Sequence, residues 1–280
     1  MVKRLLILIF LLSVPIASFS QQSNCPPPRA GSLSNLPFQD GEVLLYSLSY
    51  NWGGVVSSVA EGSSRLKFNN SGAAGPHFHA IVEGKTYRFY DLFFKVRDYY
   101  ESKFFPGNMR PFYFHRNVQE GKYRMKNHIT FLPDNQIRSL TQKYDNPQKD
   151  TLLKGSLCTY DIVTMFYYAR TLDYRNDIPG TTYPVSFVID DDIFDISIRY
   201  IGREVKRIPG LGTFNTAKFA VKLIAGTVFK GDKEMILWIS DDENKIPLGF
   251  EVEIIIGKLF GTLKSTENLK FPMKSKIAHK

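Results

Sequence analysis

The stretch Glu42-Val43-Leu44-Leu45-Tyr46-Ser47-Leu48-Ser49-Tyr50-Asn51, turned by Gly53-Gly54 and answered by Val55–Phe68, decides the fold. Leu44, Tyr46, Leu48 and Tyr50 fall on one face of an extended chain, and Leu45, Ser47 and Ser49 on the other. That period of two is the mark of a strand with one face against a core. The return strand carries smaller residues. A link this short makes the pair antiparallel, because parallel neighbours need a crossover of about a dozen residues or more.

Working outward, the same grammar repeats. His77–Glu83, Asp98–Phe105, Pro111–Val118, Tyr123–Leu132 and Gln136–Tyr144 are strand candidates, separated by Pro106-Gly107-Asn108, Glu120-Gly121 and Pro133-Asp134-Asn135. Strands resume at Thr182–Ile189, Phe194–Ile201, Phe214–Leu223, Met235–Ser240 and Leu248–Leu259. Two segments break the pattern. Thr86–Val96 reads as a helical turn or short helix between strands. Asp161–Leu172 reads as the main helix, with Thr159 as its N-cap, Ile162, Phe166 and Ala169 on one face, and Arg170 near the C-terminal end where a cation suits the dipole.

Many strands, one good helix and no alternation of strand with helix predict a mainly β fold. The expected architecture is a curved antiparallel sheet forming a barrel or half-barrel, with a helix over about 160–172 packed against it. Such curling also deals with exposed sheet edges. An outer-membrane barrel is disfavoured. Arg124, Lys126, Arg138 and Lys143 interrupt the strands that would face lipid, and the chain ends in Ala278-His279-Lys280 without an aromatic terminal strand.

Composition bounds the rest. The 280 residues are 43% hydrophobic and 14% aromatic with 22% charged, which excludes a disordered chain. Residues 1–20 read as a signal peptide, with Lys3 and Arg4, the apolar run Leu5–Leu12, and Ser18 and Ser20 before cleavage at Gln21. The apolar run is too short to span a bilayer, and no other stretch of the mature chain is long and apolar enough to cross as a helix. A lipid-modified cysteine is disfavoured, because Gln22-Ser23-Asn24 before Cys25 is not a small apolar approach. Loss of the signal lowers the formal charge from +9 to +7. Residues 21–37 are a Pro-rich lead-in, 38–263 a single β-rich domain, and 264–280 a basic tail expected to fray. Two cysteines exclude a disulfide-dense scaffold and a four-cysteine zinc site. Export makes a Cys25–Cys158 disulfide a candidate.

The order of several segments resembles the bacterial domain-of-unknown-function family 3108. They are Phe38–Tyr50, Phe93–Ser102, the Glu120-Gly121-Lys122-Tyr123 turn, Tyr160–Arg170 and Ile239–Pro247. The resemblance covers nearly all of the mature chain and implies an exported β-rich envelope protein with no established activity. It carries no catalytic residues with it.

Chemistry must therefore come from this sequence. His77 and His79 share a strand face but lack a third ligand, with His115 and His128 elsewhere, so a solvated polar face is favoured over a metal site. Asp190-Asp191-Asp192 with Asp195, and Asp241-Asp242-Glu243 beside Asn244, could hold calcium. They lack the spacing of a known calcium loop, and acidic residues also cap turns. No nucleophile elbow, zinc-protease helix, phosphate loop or dinucleotide fingerprint is present. Paired carboxylates of a hydrolase are a matter of space and not of sequence. Aromatic and basic residues interleave at Tyr87-Arg88-Phe89-Tyr90 and Arg110–Arg116. Export turns that pattern away from nucleic acid and toward a cationic surface facing anionic headgroups or glycans.

The expectation is a non-enzymatic envelope protein, without a cofactor, whose curved sheet holds an apolar, lipid-like ligand. Tyr46, Tyr50 and Trp52 are the first candidate wall residues. An interaction module using a sheet edge to bind an envelope protein is the alternative. A hydrolase acting on envelope polymer is the third reading.

Overall fold

The Glu42–Phe68 hairpin lies at the centre of one large sheet. Strand β1 (Val43–Trp52) pairs antiparallel with β2 (Val55–Asn69), with Tyr46 opposite Gly62 and Leu48 opposite Ala60. The computed structural model describes residues 32–72, 74–222, 234–254 and 257–278. From β2 the chain winds outward through β3 (His77–Thr86), α1 (Arg88–Asp91), β4 (Val96–Phe104), β5 (Pro111–Glu120), β6 (Tyr123–Phe131), β7 (Gln136–Lys143) and β8 (Lys149–Lys154). It then places β9 (Thr159–Asp161) and α2 (Ile162–Thr171). A second meander returns through β10 (Thr182–Ile189), β11 (Asp192–Ile208), β12 (Gly212–Lys222), β13 (Glu234–Ser240), β14 (Pro247–Glu253) and β15 (Lys258–Glu267). β15 closes on the far side of β1, and the short β16 (Lys276–Ile277) adds to β12.

The sheet order runs β8 to β1, then β15 down to β9. Every ladder is antiparallel except β9 with β10, where α2 and the loop behind it supply the crossover a parallel pair requires. The sheet is curved and not closed, as expected of a half-barrel. Its two flanks are tied by side chains where the ladder stops. The β10–β11 turn sends Asp190 to Arg116 Nη2 at 2.6 Å, and Asp191 to Thr141 Oγ1 at 2.8 Å and Lys149 Nζ at 2.9 Å. The first acidic cluster thus ties β10–β11 to β5, β7 and β8.

Several elements differ from the sequence reading. The helix starts at Ile162, and its N-cap is Asp161 in place of Thr159. Thr159–Asp161 is drawn into a ladder with Ser186–Val188, and Thr159 Oγ1 meets Ser186 Oγ at 2.8 Å. β8 was not anticipated, and Leu248–Leu259 is two strands, β14 and the start of β15.

The described part of the tail, residues 264–278, is not frayed. β15 continues to Glu267, and Lys270 Nζ donates to the carbonyls of Leu33, Ser34 and Leu36 at 2.8–2.9 Å. Asp242 accepts from Ser275 N at 3.1 Å and Oγ at 2.6 Å. Satisfied backbone and burial hold 264–278 in place. The lead-in reaches the core too, since Leu36 is buried with Phe38.

Alternating hairpins put the turns on two rims. The α1 rim holds the β1–β2, β3–β4, β5–β6, β7–β8 and β10–β11 turns. The tail rim holds β2–β3, β4–β5, β6–β7, β11–β12 and β13–β14. Inside, Tyr167 of α2 packs edge-on to Phe38 at 5.0 Å and lies 5.6 Å from Phe104. A smaller cluster of Leu44, Ile208, Phe214, Ile246, Leu248 and Leu263, with Leu269 and Met273 of the tail against it, fills the tail-rim end.

Candidate functional site: an apolar cavity under the helix

Asp161 sets the position of α2. Its carboxylate accepts from Val163 N and Thr164 N, both at 2.9 Å, and from Ser102 Oγ and Thr164 Oγ1, both at 2.7 Å. Burial raises its pKa to about 6, with these hydrogen bonds pulling the other way. At the other end, Arg170 is fully buried. Its Nη1 and Nη2 meet Glu42 Oε1 and Oε2 at 2.5 and 2.8 Å, and further donors reach the carbonyls of Pro37 and Asn244. Arg170 is therefore far more than a cation at a helix terminus. It joins the lead-in, β1, α2 and the β13–β14 turn.

With α2 fixed at both ends, Val163, Tyr167 and Tyr168 pack into the core, while Ile162, Met165, Phe166 and Ala169 face a cavity of about 480 Å³. The opposite wall comes from both meanders. Tyr46, Leu48, Val82 and Tyr100 stand on one side, and Ile196, Phe219, Val221, Leu237 and Phe250 on the other. The space exists because of one register row. Tyr46 lies opposite Gly62, Gly62 opposite Gly84, and Gly84 opposite Asp98, so all four positions point inward side by side. The two glycines leave a bare strip of sheet between a tyrosine and a carboxyl group. A Cβ built at Gly62 or Gly84 would meet no atom closer than 3.7 Å.

Asp98 is the polar feature of that strip. Burial among apolar neighbours pushes its pKa up to about 7, and Glu120 adds to the rise. The Gln119 amide, at 3.3 Å from Oδ1, and Arg116 oppose it. Near neutral pH this carboxyl is divided between its acid and its anion, so it can donate or accept a hydrogen bond. Tyr46 Oη donates to Pro247 O at 3.0 Å, and burial holds the phenol in its neutral form.

Of the wall residues expected from sequence, Tyr46 lines the cavity. Tyr50 does not; it lies beside Gly257 of the β14–β15 turn. The side chain of Trp52 and the whole of Cys25 lie outside the described residues. Cys158 is buried in the loop before β9. Gly62, Gly84 and Asp98 were missed. Glycines inside alternating strands do signal a close approach or an opening, but only register puts two of them next to an acid.

His77, His79, His115 and His128 sit on the outer face. His77 Nδ1 is 2.8 Å from Gly75 O, and His79 Nε2 is 2.8 Å from Glu101 Oε1. The rings of His115 and His128 are 6.3 Å apart. In the second acidic cluster, Asp241 pairs with Arg203, Asp242 binds Ser275, and Glu243 pairs with Lys274. Among the described residues, no group of three or more His, Cys, Asp or Glu side chains is arranged to hold a metal ion. No described helix is long and apolar enough to cross a membrane.

The fold is similar to that of a β-barrel-like protein of the domain of unknown function DUF1849 from Brucella abortus. The two align with a TM-score of 0.54 at 10% identity, over 83% of this chain and 100% of that one. A candidate lipoprotein from Parabacteroides distasonis aligns over 83% of this chain and 99% of its own, at 12% identity and a TM-score of 0.32. No curated protein matches the chain. The sequence profile of the proteins of unknown function DUF3108 matches residues 45–264, nearly the whole sheet, and the chain belongs to that family.

Proposed function

We propose that this protein is an exported component of the cell envelope whose cavity holds an apolar, lipid-like ligand. The observation that carries this reading is the cavity itself. Its volume of about 480 Å³ lies within the range of about 300–1,000 Å³ usual for small-molecule sites. Its walls are almost wholly hydrocarbon and aromatic, with Asp98 as a polar anchor at one side. Export rests on the reading of residues 1–20 as a signal peptide. A hydrolytic role has less support. Glu83, the other carboxylate residue bordering the cavity, is engaged by Arg65 on the outer face.

Native mass spectrometry and solvent extraction of the mature protein, purified without detergent, test the proposal. The expected result is a co-purifying apolar species, lost from the Gly62→Leu variant, whose new side chain occupies the bare strip. A wild-type protein that carries no such species and binds no fluorescent fatty acid sinks the reading.

A second reading, a protein-interaction module, is favoured by one feature. β8 is a sheet edge with alternating exposed residues, and Leu152 is 62% exposed there. Crosslinking in intact cells to one reproducible protein through β8 would favour it.

A further inference from the structure

The exposed apolar side chains are not spread evenly. Val55 and Val56 open β2 beside the β1–β2 turn, and Phe89, Leu92, Phe93 and Phe94 belong to the β3–β4 loop of the same α1 rim, with Leu92 81% and Phe93 75% exposed. The other exposed large apolar side chains among the described residues, Leu33, Tyr144, Leu152, Leu157, Ile178 and Val205, are dispersed over separate elements, Leu157 and Ile178 in the β8–β9 and α2–β10 loops at the tail-rim end. Clustering of this kind marks an interaction surface, since exposed apolar residues are ordinarily scattered.

The rings are held outward by a built loop. Asp91 accepts from Thr86 Oγ1 at 2.5 Å and pairs with Arg97 at 2.5 and 2.9 Å, and Thr86 Oγ1 accepts from Val96 N at 3.0 Å. This clamp fixes the base of the loop, and above it Phe89 and Phe93 meet edge to face with ring centroids 5.6 Å apart. Phe94 rests on Gly121, where a Cβ would come within 2.8 Å of its ring, and Gly121 N donates to Lys95 O at 2.7 Å. The β5–β6 turn with Lys122 is thereby joined to the patch. Cations outnumber acids: Arg88, Lys95, Arg97 and Lys122 stand against Asp91 and Glu120. Arg88, Lys95 and Lys122 make no ion pair among the described residues.

We infer that the α1 rim docks on an anionic lipid surface, with Phe89, Leu92, Phe93, Val55 and Val56 entering the headgroup boundary and Arg88, Lys95 and Lys122 facing lipid phosphates. Apolar and aromatic side chains flanked by cations are the chemistry of interfacial membrane binding. A second copy apposed through the same patch would set these cations against each other. The docking rests on the rings and cations alone and stands whether or not the cavity is filled. It also places lipid next to the cavity, because Gly84 and Asp98 lie only a few residues from the ring-bearing loop and Val221 and Met235 also line its wall.

Flotation of the mature protein with vesicles tests the inference. It should float with phosphatidylethanolamine–phosphatidylglycerol vesicles and much less with pure phosphatidylcholine, and binding should weaken as salt rises. The L92D/F93D variant should partition about tenfold less or worse, and R88E/K95E at least about fivefold less. Both should melt like the wild type, because these side chains are exposed. Gly62→Leu, which fills the cavity, should still float. Failure of the wild type to float with anionic vesicles overturns the inference, as does undiminished flotation of L92D/F93D. A concentration-dependent dimer abolished by L92D/F93D would assign the patch to a second copy, and crosslinking of the rim to one protein would assign it to that protein. Either result also overturns it.

Discussion

The two rims are made from the same run of hairpins, yet they end in opposite ways. At the tail rim, loose ends are gathered in: Lys270 binds three carbonyls, Asp242 holds Ser275, and Arg170 joins Glu42, Pro37 and Asn244. At the α1 rim, a polar clamp of Asp91, Thr86 and Arg97 keeps apolar rings out in water. The difference teaches where each kind of requirement is met. Polar contacts draw the tail rim inward, whereas the α1 rim combines the Asp190 and Asp191 ties of the β10–β11 turn with an apolar loop that stands outside the core. Between them, α2 separates the filled part of the interior from the empty part.

The largest expected effect breaks this comparison at its closed end. Arg170→Ala leaves Glu42 as a buried charge without its partner, and should cost about 3–5 kcal/mol in denaturant unfolding. Changes at Leu92 or Phe93 should stay within about 0.5 kcal/mol. If both ends respond alike, the division of roles is wrong. Next comes the pairing of Cys25 with Cys158. Non-reducing peptide mapping should recover the linked peptides, and Cys158→Ser should cost about 2–4 kcal/mol. Two free thiols in the mature protein would overturn the pairing.

The smallest effect sharpens the boundary at the cavity. Asp98 titrates near 7 in the folded protein, against about 4 when unfolded. Between those values the folded state binds the extra proton. The wild type therefore loses stability as pH rises from about 4 to 7, and the full cost is present above 7. Asp98→Asn should remove that slope and stabilise the protein by roughly 1–2 kcal/mol at pH 8, with partial solvent exposure keeping the gain below the full shift. Melting temperatures from pH 5 to 8 would show it as a gap between the two proteins that widens with pH. A constant gap would place the carboxyl in water.

Much of the fold is written in the period-two pattern. Leu44, Tyr46 and Leu48 did face inward, and Thr182–Ile189 is a strand as its residues propose. What the pattern could not carry was anything that depends on two segments meeting. Arg170 looked like a helix-terminal cation because its partner, Glu42, is more than a hundred residues earlier. Thr159 looked like a cap because the ladder with β10 that claims it is formed by later residues. The site was less legible than the fold. Tyr46 was chosen as an aromatic on an apolar face, but the cavity beside it is made by Gly62 and Gly84, residues with no side chain to notice. The tail misled through composition, since its lysines find carbonyl and carboxylate partners that only the folded chain assembles.

The ladder of β1 with β15 carries a consequence for how the chain is made. It joins Val43 to Glu267, so the middle of the sheet is zipped from residues more than 200 positions apart. Each meander is a series of local hairpins that can form as its own residues become available. Their union must await nearly the whole polypeptide and bears the entropy of closing a loop of more than 200 residues. Until then β1 stands as an open edge with an apolar inner face. A chain exported end first would spend that interval outside the membrane, where a ribbon of this kind is most in need of a holding partner.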